Sequence, residues 1–214
     1  MKELLEYDRV TVYLDKISEY IRTDIFESKL EKPVITLQKT TGAYGHFETI
    51  PMWHDEKGNA RYEINLGSET ITRPIEETVA TMIHEYVHYY CLINDIKDTS
   101  RNGVYHNKRF KAEAEKRMLK IDFYPSIGFS VTSPTEELVK WCISKGLSDI
   151  KIGRAKSYEM LFGKLPTKPT GREKGKNKPS STRKYYCPKC KISCRATKNI
   201  DIMCINCQKR MILE

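Results

Sequence analysis

The apolar residues of this chain recur first at helical and then at strand spacing. Val10, Leu14, Ile17, Ile21 and Ile25 lie three or four apart within residues 7–28, which predicts a helix with one buried face. After Pro33, the run Val34-Ile35-Thr36-Leu37 reads as a short strand. Two more strands are expected over residues 44–53 and 61–66, joined by the polar His54-Asp55-Glu56-Lys57-Gly58-Asn59. Val79, Ile83, Tyr86, Val87 and Tyr90 form a second helical stripe within residues 74–96, with Pro74 at its first position. A polar loop over 97–103 leads to a helix over 107–120, where Phe110 and Ala114, four apart, offer a packing face. Ser133-Pro134-Thr135-Glu136 reads as a capping box that opens a last helix, ended by Gly146. The order of one helix, a small sheet and then helices predicts an α+β fold.

The second stripe carries chemistry. His84-Glu85-Tyr86-Val87-His88 is an H-E-x-x-H motif. Histidines four apart share one face of a helix, so both imidazoles reach one metal ion. The glutamate after the first histidine stands beside that metal, placed to take a proton from an attacking water. Zinc is the expected metal, because it acidifies water to a pKa of roughly 7 without redox chemistry. Motifs this short also occur by chance. Here the apolar stripe buries the helix and sets His84 and His88 to one side of it, which favours a zinc site.

A catalytic zinc site takes three protein ligands and keeps one position open. The metzincin extension of the motif fails, since Cys91 stands where its glycine belongs and Asn94 where its third histidine belongs. His106 is the favoured third ligand, because an 18-residue connection lets the following helix fold back on the first. Glu113 and Glu136 remain alternatives. His46 and His54 flank the expected hairpin and read as structural or exposed.

Composition divides the chain. Of its 214 residues, 39% are hydrophobic and 30% charged, the balance of a globular protein. No run approaches the ~18 apolar residues of a membrane span. The opening MKELLEYDRV lacks the apolar core of a signal peptide, so a cytoplasmic protein without a membrane partner is expected. The net charge of +9 is uneven. Residues 1–150 hold 20 Lys+Arg against 24 Asp+Glu, a net −4; residues 151–186 hold 11 against 2, and residues 187–214 hold 6 against 2. All the excess positive charge is C-terminal, the electrostatic footprint of a nucleic-acid partner. Residues 163–181 are rich in Lys, Pro, Gly, Ser and Thr, the composition of a flexible linker.

Cytoplasmic proteins seldom use disulfides, so the seven cysteines need another explanation. Cys187-Pro188-Lys189-Cys190 and Cys204-Ile205-Asn206-Cys207 are two C-x-x-C pairs. Four thiolates at this spacing close a structural zinc site in a tail too small for its own core. Cys194 is a spare, and Cys91 and Cys142 read as buried small apolar residues. Around the ribbon stand Lys189, Lys191, Arg195, Lys198, Lys209 and Arg210, with Tyr185 and Tyr186 before it. Basic residues beside aromatics suit a phosphate backbone with stacked bases.

The chain resembles the SprT-like zinc metallopeptidases, the family of the DNA-dependent protease Spartan. The resemblance rests on Glu63-Ile64-Asn65-Leu66, on Thr81-Met82-Ile83 before the motif, on Asn94-Asp95-Ile96-Lys97-Asp98, and on Tyr105-His106-Asn107-Lys108-Arg109-Phe110. It implies a zincin-like domain over residues 1–162, a basic linker over 163–184 and a zinc ribbon over 185–214. It also implies His84, His88 and His106 as catalytic zinc ligands and Glu85 as the catalytic glutamate. The departure is at Tyr105 and Asn107, where many relatives have glycine beside the histidine; Tyr105 is a candidate donor to an oxyanion. The expected activity is zinc-dependent peptide hydrolysis on DNA-associated proteins. The alternatives are cleavage of a specific regulator without DNA, and a non-catalytic zinc-stabilised DNA-binding protein. The intact Glu85 argues against the last.

Overall fold

A computed structural model describes residues 6–40, 42–155 and 183–213, which fall into two compact units divided after Leu165. The first is mixed α+β. Its elements in chain order are α1 (Tyr7–Tyr20), β1 (Val34–Gln38), β2 (Gly45–Phe47), β3 (Trp53–His54), β4 (Ala60–Arg61), β5 (Glu63–Gly67), α2 (Ile75–Ile93), β6 (Thr99–Ser100), β7 (Tyr105–His106), α3 (Lys108–Glu115), β8 (Leu119–Tyr124), β9 (Gly128–Pro134) and α4 (Glu136–Ser144). A single π turn, Ile21–Ile25, continues α1.

α2 is the spine of this unit. Thirteen of its nineteen residues are buried, so it is enclosed on most of its circumference rather than on the one stripe expected. It packs against β2, β5, β9, α3 and α4. Tyr86 crosses the core to α1, where its hydroxyl lies 2.7 Å from Ser18 Oγ and donates to the Ser18 carbonyl at 3.1 Å. One sheet has the order β1-β5-β2, with β1 parallel and β2 antiparallel to β5. Ile64 and Leu66 of β5 join the apolar core. On the opposite face of β5, buried Glu63 accepts from Thr36 Oγ1 at 2.6 Å and from Trp53 Nε1 at 2.7 Å, which ties the β3–β4 hairpin down.

Both ends of α2 are set by backbone chemistry. Pro74 stands at the N-cap, one position before the helix rather than inside it, and supplies no cap. The cap comes from 74 residues away, where the Asp149 carboxylate accepts from the Ile75 N–H at 3.0 Å. At the C-terminus, Asp95 adopts φ 54, Ile96 N–H donates to Cys91 O and Asp95 N–H to Leu92 O. This Schellman turn reverses the chain and brings residues 97–100 back along the helix.

Downstream, the structure departs from expectation. The helix predicted over 107–120 stops at Glu115, and 119–134 forms the β8–β9 hairpin inside a sheet of order β6-β7-β9-β8. Leu119-Lys120-Ile121-Asp122-Phe123 alternates apolar and polar, the signal for a strand, and Leu119 and Ile121 are buried. The loop expected over 97–103 contains the β6–β7 turn. The last helix is capped by Thr135, whose hydroxyl accepts from Leu138 N–H, while Ser133 and Pro134 end β9. The N-cap predicted at Ser133 is therefore displaced by two residues to Thr135, where Leu138 at the third position leaves no capping box, because the strand pairing of Ser133 takes precedence over the local motif.

The second unit contains β10 (Arg183–Tyr186), β11 (Ser193–Ala196), β12 (Met203–Cys204), β13 (Lys209–Arg210) and β14 (Ile212–Leu213). Strands β11-β10-β14 form one small sheet and β12-β13 another. The linker expected over 163–184 lies outside the described residues, apart from Arg183 and Lys184, which belong to β10.

Candidate metal centre

Three histidines from two elements converge. His84 and His88 project from one face of α2, and His106 ends β7. Their Nε2 atoms lie 3.2 Å (His84–His88), 3.2 Å (His84–His106) and 3.0 Å (His88–His106) apart. Nitrogens about 2.0–2.1 Å from a shared tetrahedral metal stand roughly 3.3 Å apart, so the triad fits a single ion. Glu113 and Glu136 are not in the cluster. Glu113 of α3 pairs with Lys116 and Arg117 just beyond it, and Glu136 is exposed at the start of α4. His46 lies 3.2 Å from Glu48 and His54 is exposed on β3; both stand outside the triad.

The outer ring nitrogens decide which way the rings face. His88 Nδ1 is 2.5 Å from Asp98 Oδ2, and His84 Nδ1 is 2.7 Å from Thr132 Oγ1. A carboxylate can only accept, so Nδ1 of His88 carries the proton and its Nε2 lone pair faces the centre. Thr132 donates to the Ser130 carbonyl at 3.3 Å, which leaves its oxygen free to accept from His84. His106 Nδ1 is buried near the carbonyls of Ile127 and Val104 without hydrogen-bond geometry to either. Burial, then the neighbouring His88, holds the His106 imidazole down to about 4; burial, then His88 and His106, holds His84 well below its ordinary value. Neutral imidazole is the form that binds metal.

Apolar packing and backbone geometry place the rings. Phe110, fully buried on α3, has its ring centroid 4.5, 4.6 and 4.7 Å from those of His84, His88 and His106. It is the floor of the triad. Asn107 caps α3 by accepting from Arg109 and Phe110 N–H, and its own amide donates to the Lys97 carbonyl at 2.8 Å. Asn107 thus binds the Asp98 segment to the Phe110 helix. Gly128 adopts φ +73, and a Cβ there would stand 2.1 Å from the His106 carbonyl oxygen. Only glycine lets β9 pair with β7 at His106.

Glu85 is buried beside the triad and lines the same cleft of about 820 Å³. Burial pushes its carboxyl up to about 7, opposed by His88 and a hydrogen bond from the Phe47 backbone. Such a group exchanges protons near neutral pH. β2, an edge strand, also lines the cleft. A Cβ on Gly45 would lie 2.8 Å from the Asn65 carbonyl oxygen and 3.4 Å from Glu85 Cγ, so glycine allows the strand to approach this closely. Tyr105 is not among the cleft's lining residues; the Arg101 guanidinium lies 4.7 Å above its ring.

The second unit holds the other cluster. The sulfurs of Cys187, Cys190, Cys204 and Cys207 lie within 4.8 Å of one another, with Cys190 and Cys204 3.6 Å apart. Sulfurs about 2.3 Å from one tetrahedral metal stand roughly 3.8 Å apart. Backbone N–H groups of Cys190 and Lys189 draw the Cys187 thiol down to about 6, while Cys190 raises Cys207. Four crowded thiolates repel one another unless a cation lies among them, so this donor set fits a metal. Cys194 is exposed on β11, outside the cluster, and Cys91 and Cys142 are buried in the first unit. Tyr185 is also buried, its hydroxyl accepting from Ile200 N–H at 3.1 Å. It packs within its own unit and is not free to stack on a base.

Asp98, Thr132 and the role of Phe110 as floor escaped the sequence reading. Only the alternation at 119–123 carried a signal, by marking the hairpin that delivers Thr132 to the site. No helix among the described residues is long and apolar enough to cross a membrane. Compared with known proteins, the chain matches no family model, no curated protein and no solved structure.

Proposed function

We infer that this chain is a zinc metallopeptidase of the SprT-like type, acting on proteins associated with DNA. One observation carries the reading: a buried glutamate, raised toward neutrality, shares a cleft with three imidazole nitrogens 3.0–3.2 Å apart. A purely structural metal site has no use for such a group. His84, His88 and His106 would hold catalytic zinc, and Cys187, Cys190, Cys204 and Cys207 a structural zinc. When bound, the catalytic zinc supplies a Lewis acid that polarises a carbonyl and acidifies water.

The chain's own residues supply the remainder. Glu85 accepts the proton of the attacking water on its carboxylate and delivers it to the leaving amine. Asp98 and Thr132 keep the imidazoles in the tautomer that presents Nε2. The free edge of β2 suits an extended peptide, which would add as a further strand across the cleft. DNA enters through charge: residues 151–214 carry 17 Lys+Arg against 4 Asp+Glu, a net +13. Lys189, Lys191, Arg195, Lys198 and Lys209 are exposed on the second unit.

The test incubates purified zinc-loaded protein with a DNA-binding protein, with and without single-stranded DNA, beside a Glu85→Gln variant. Cleavage stimulated by DNA, and lost in the variant at unchanged zinc content, is the expected result. Cleavage indifferent to DNA removes the DNA part of the reading. No cleavage, with zinc and tight DNA binding intact, removes the peptidase.

A further inference from the structure

The first unit is mildly acidic overall, yet its charge is segregated. Residues 1–96 hold 10 Lys+Arg against 17 Asp+Glu, a net −7, whereas residues 97–120 hold 8 against 3, a net +5. Within this basic stretch the cations from Lys111 to Lys120 are committed. Lys116 and Arg117 pair with Glu113, and Lys111 with Glu115. Lys97, Arg101, Lys108 and Arg109 are different: all four are exposed, and none makes an ion pair among the described residues. The one acid of the 97–109 strap, Asp98, is turned toward His88.

These four cations are held together by the backbone. Asn107 donates its N–H to the Asp98 carbonyl at 2.9 Å and its side-chain amide to the Lys97 carbonyl, which ties Lys97 to the residue before Lys108. The β6–β7 pairing Ser100↔Tyr105 folds the strap on itself, and Arg101 lies over the Tyr105 ring. The same strap borders the cleft, because Lys97, Gly103 and His106 line it.

We propose that the 97–109 strap is a second polyanion-binding surface, which grips the phosphate backbone of a nucleic-acid strand at the rim of the cleft. It lies in the peptidase unit itself and is separate in sequence from the basic C-terminal region. Arginine forks and lysine ammonium groups with no carboxylate partner are the donors phosphate takes. An anionic membrane is the poorer fit. The one large apolar side chain exposed on the strap is Val104, and the Tyr105 ring is covered, so there is no apolar face to insert. A strand held here would present the proteins it carries to Glu85 and the histidines. This last step rests on the peptidase reading above; the binding surface does not.

The test is fluorescence anisotropy of a labelled oligothymidine with the full chain, from about 50 to 200 mM salt. One variant is Arg101→Ala, Lys108→Ala, Arg109→Ala. A second, Lys108→Glu with Arg109→Glu, alters only exposed side chains. A third is Lys189→Ala, Lys191→Ala, Lys198→Ala in the second unit. Lys97 is left alone because it lines the cleft. Removing three phosphate contacts lowers the salt slope by ~2 on a single strand and weakens binding roughly tenfold or more. The strap variants should show this while keeping both metals and hydrolysis of a short peptide, and should lose stimulation by DNA. Wild-type affinity and slope in both strap variants, with weakened binding in the third, overturns the proposal and leaves the functional reading standing. A wild-type chain that binds no oligonucleotide overturns both. Strap variants that lose binding only to phosphatidylserine vesicles assign the surface to membranes and overturn it.

Discussion

Asp98 accepts the Nδ1 proton of His88 at 2.5 Å, across the turn that ends the helix bearing His88. The Schellman turn at Asp95 returns the chain along α2, and Asn107 then holds the returning segment by its carbonyls. The carboxylate both selects the tautomer and increases the basicity of the ring. Asp98→Asn should weaken metal binding by about 10–100-fold while leaving the stoichiometry at saturation unchanged. Competition against a chromophoric chelator measures this; an unchanged affinity would show that Asp98 does not position the ligand.

Gly128 should be intolerant of any side chain. Its Cβ would stand 2.1 Å from the His106 carbonyl oxygen, at a backbone angle of φ +73. Gly128→Ala must push β9 away from β7, which displaces both His106 and Thr132. The expected outcome is loss of metal from the histidine site, read by metal analysis, with the four-cysteine site still loaded. Gly103→Ala is the control, since its Cβ meets nothing within 4 Å, although its φ of +86 carries a strain of its own.

Asp149 makes the stability of α2 depend on acid. Hydrogen bonding from Ile75 N–H, then from Lys151, lowers its carboxyl below the ordinary 3.8. A carboxyl lowered by folding stabilises fully above its unfolded value, and the contribution fades as pH falls through the folded one. Asp149→Ala should cost about 1 kcal/mol in urea unfolding at pH 7, the usual worth of a helix cap. The difference between wild type and variant should shrink below about pH 4. A difference that persists undiminished at pH 3 would mean that the carboxylate charge is not what matters.

Metal removal separates the two centres. Wild-type protein should hold two zinc ions per chain, and Cys187→Ser with Cys204→Ser should hold one. The remaining ion should support hydrolysis of a short peptide, because the ligands of the histidine site all belong to the first unit. Loss of both ions in the double variant would mean that the units do not bind metal independently.

Local chemistry made much of this protein legible in its sequence. The stripe through Val79, Ile83 and Val87 specifies a helix, and the spacing of His84 and His88 places both on one side of it. The paired C-x-x-C turns carry their own geometry, and the charge arithmetic needs no fold. What the sequence did not determine is whatever depends on residues distant in the chain. Spacing favours His106 by connection length but leaves Glu113 and Glu136 open beside it; which of the three stands with His84 and His88 depends on the β6–β7 turn and the Asn107 cap, which set His106 3.0 Å from His88. Thr132 reaches His84 across 48 residues and Asp149 reaches Ile75 across 74. Such pairings leave no periodicity to read, because a single hydrogen bond constrains one residue at each end and nothing between. The capping motif at Ser133 shows the converse: a local signal was overridden when strand pairing occupied its residues. Sequence alone determined which side chains could bind a metal; tertiary structure decided which of them meet, since only packing brings distant donors to one point.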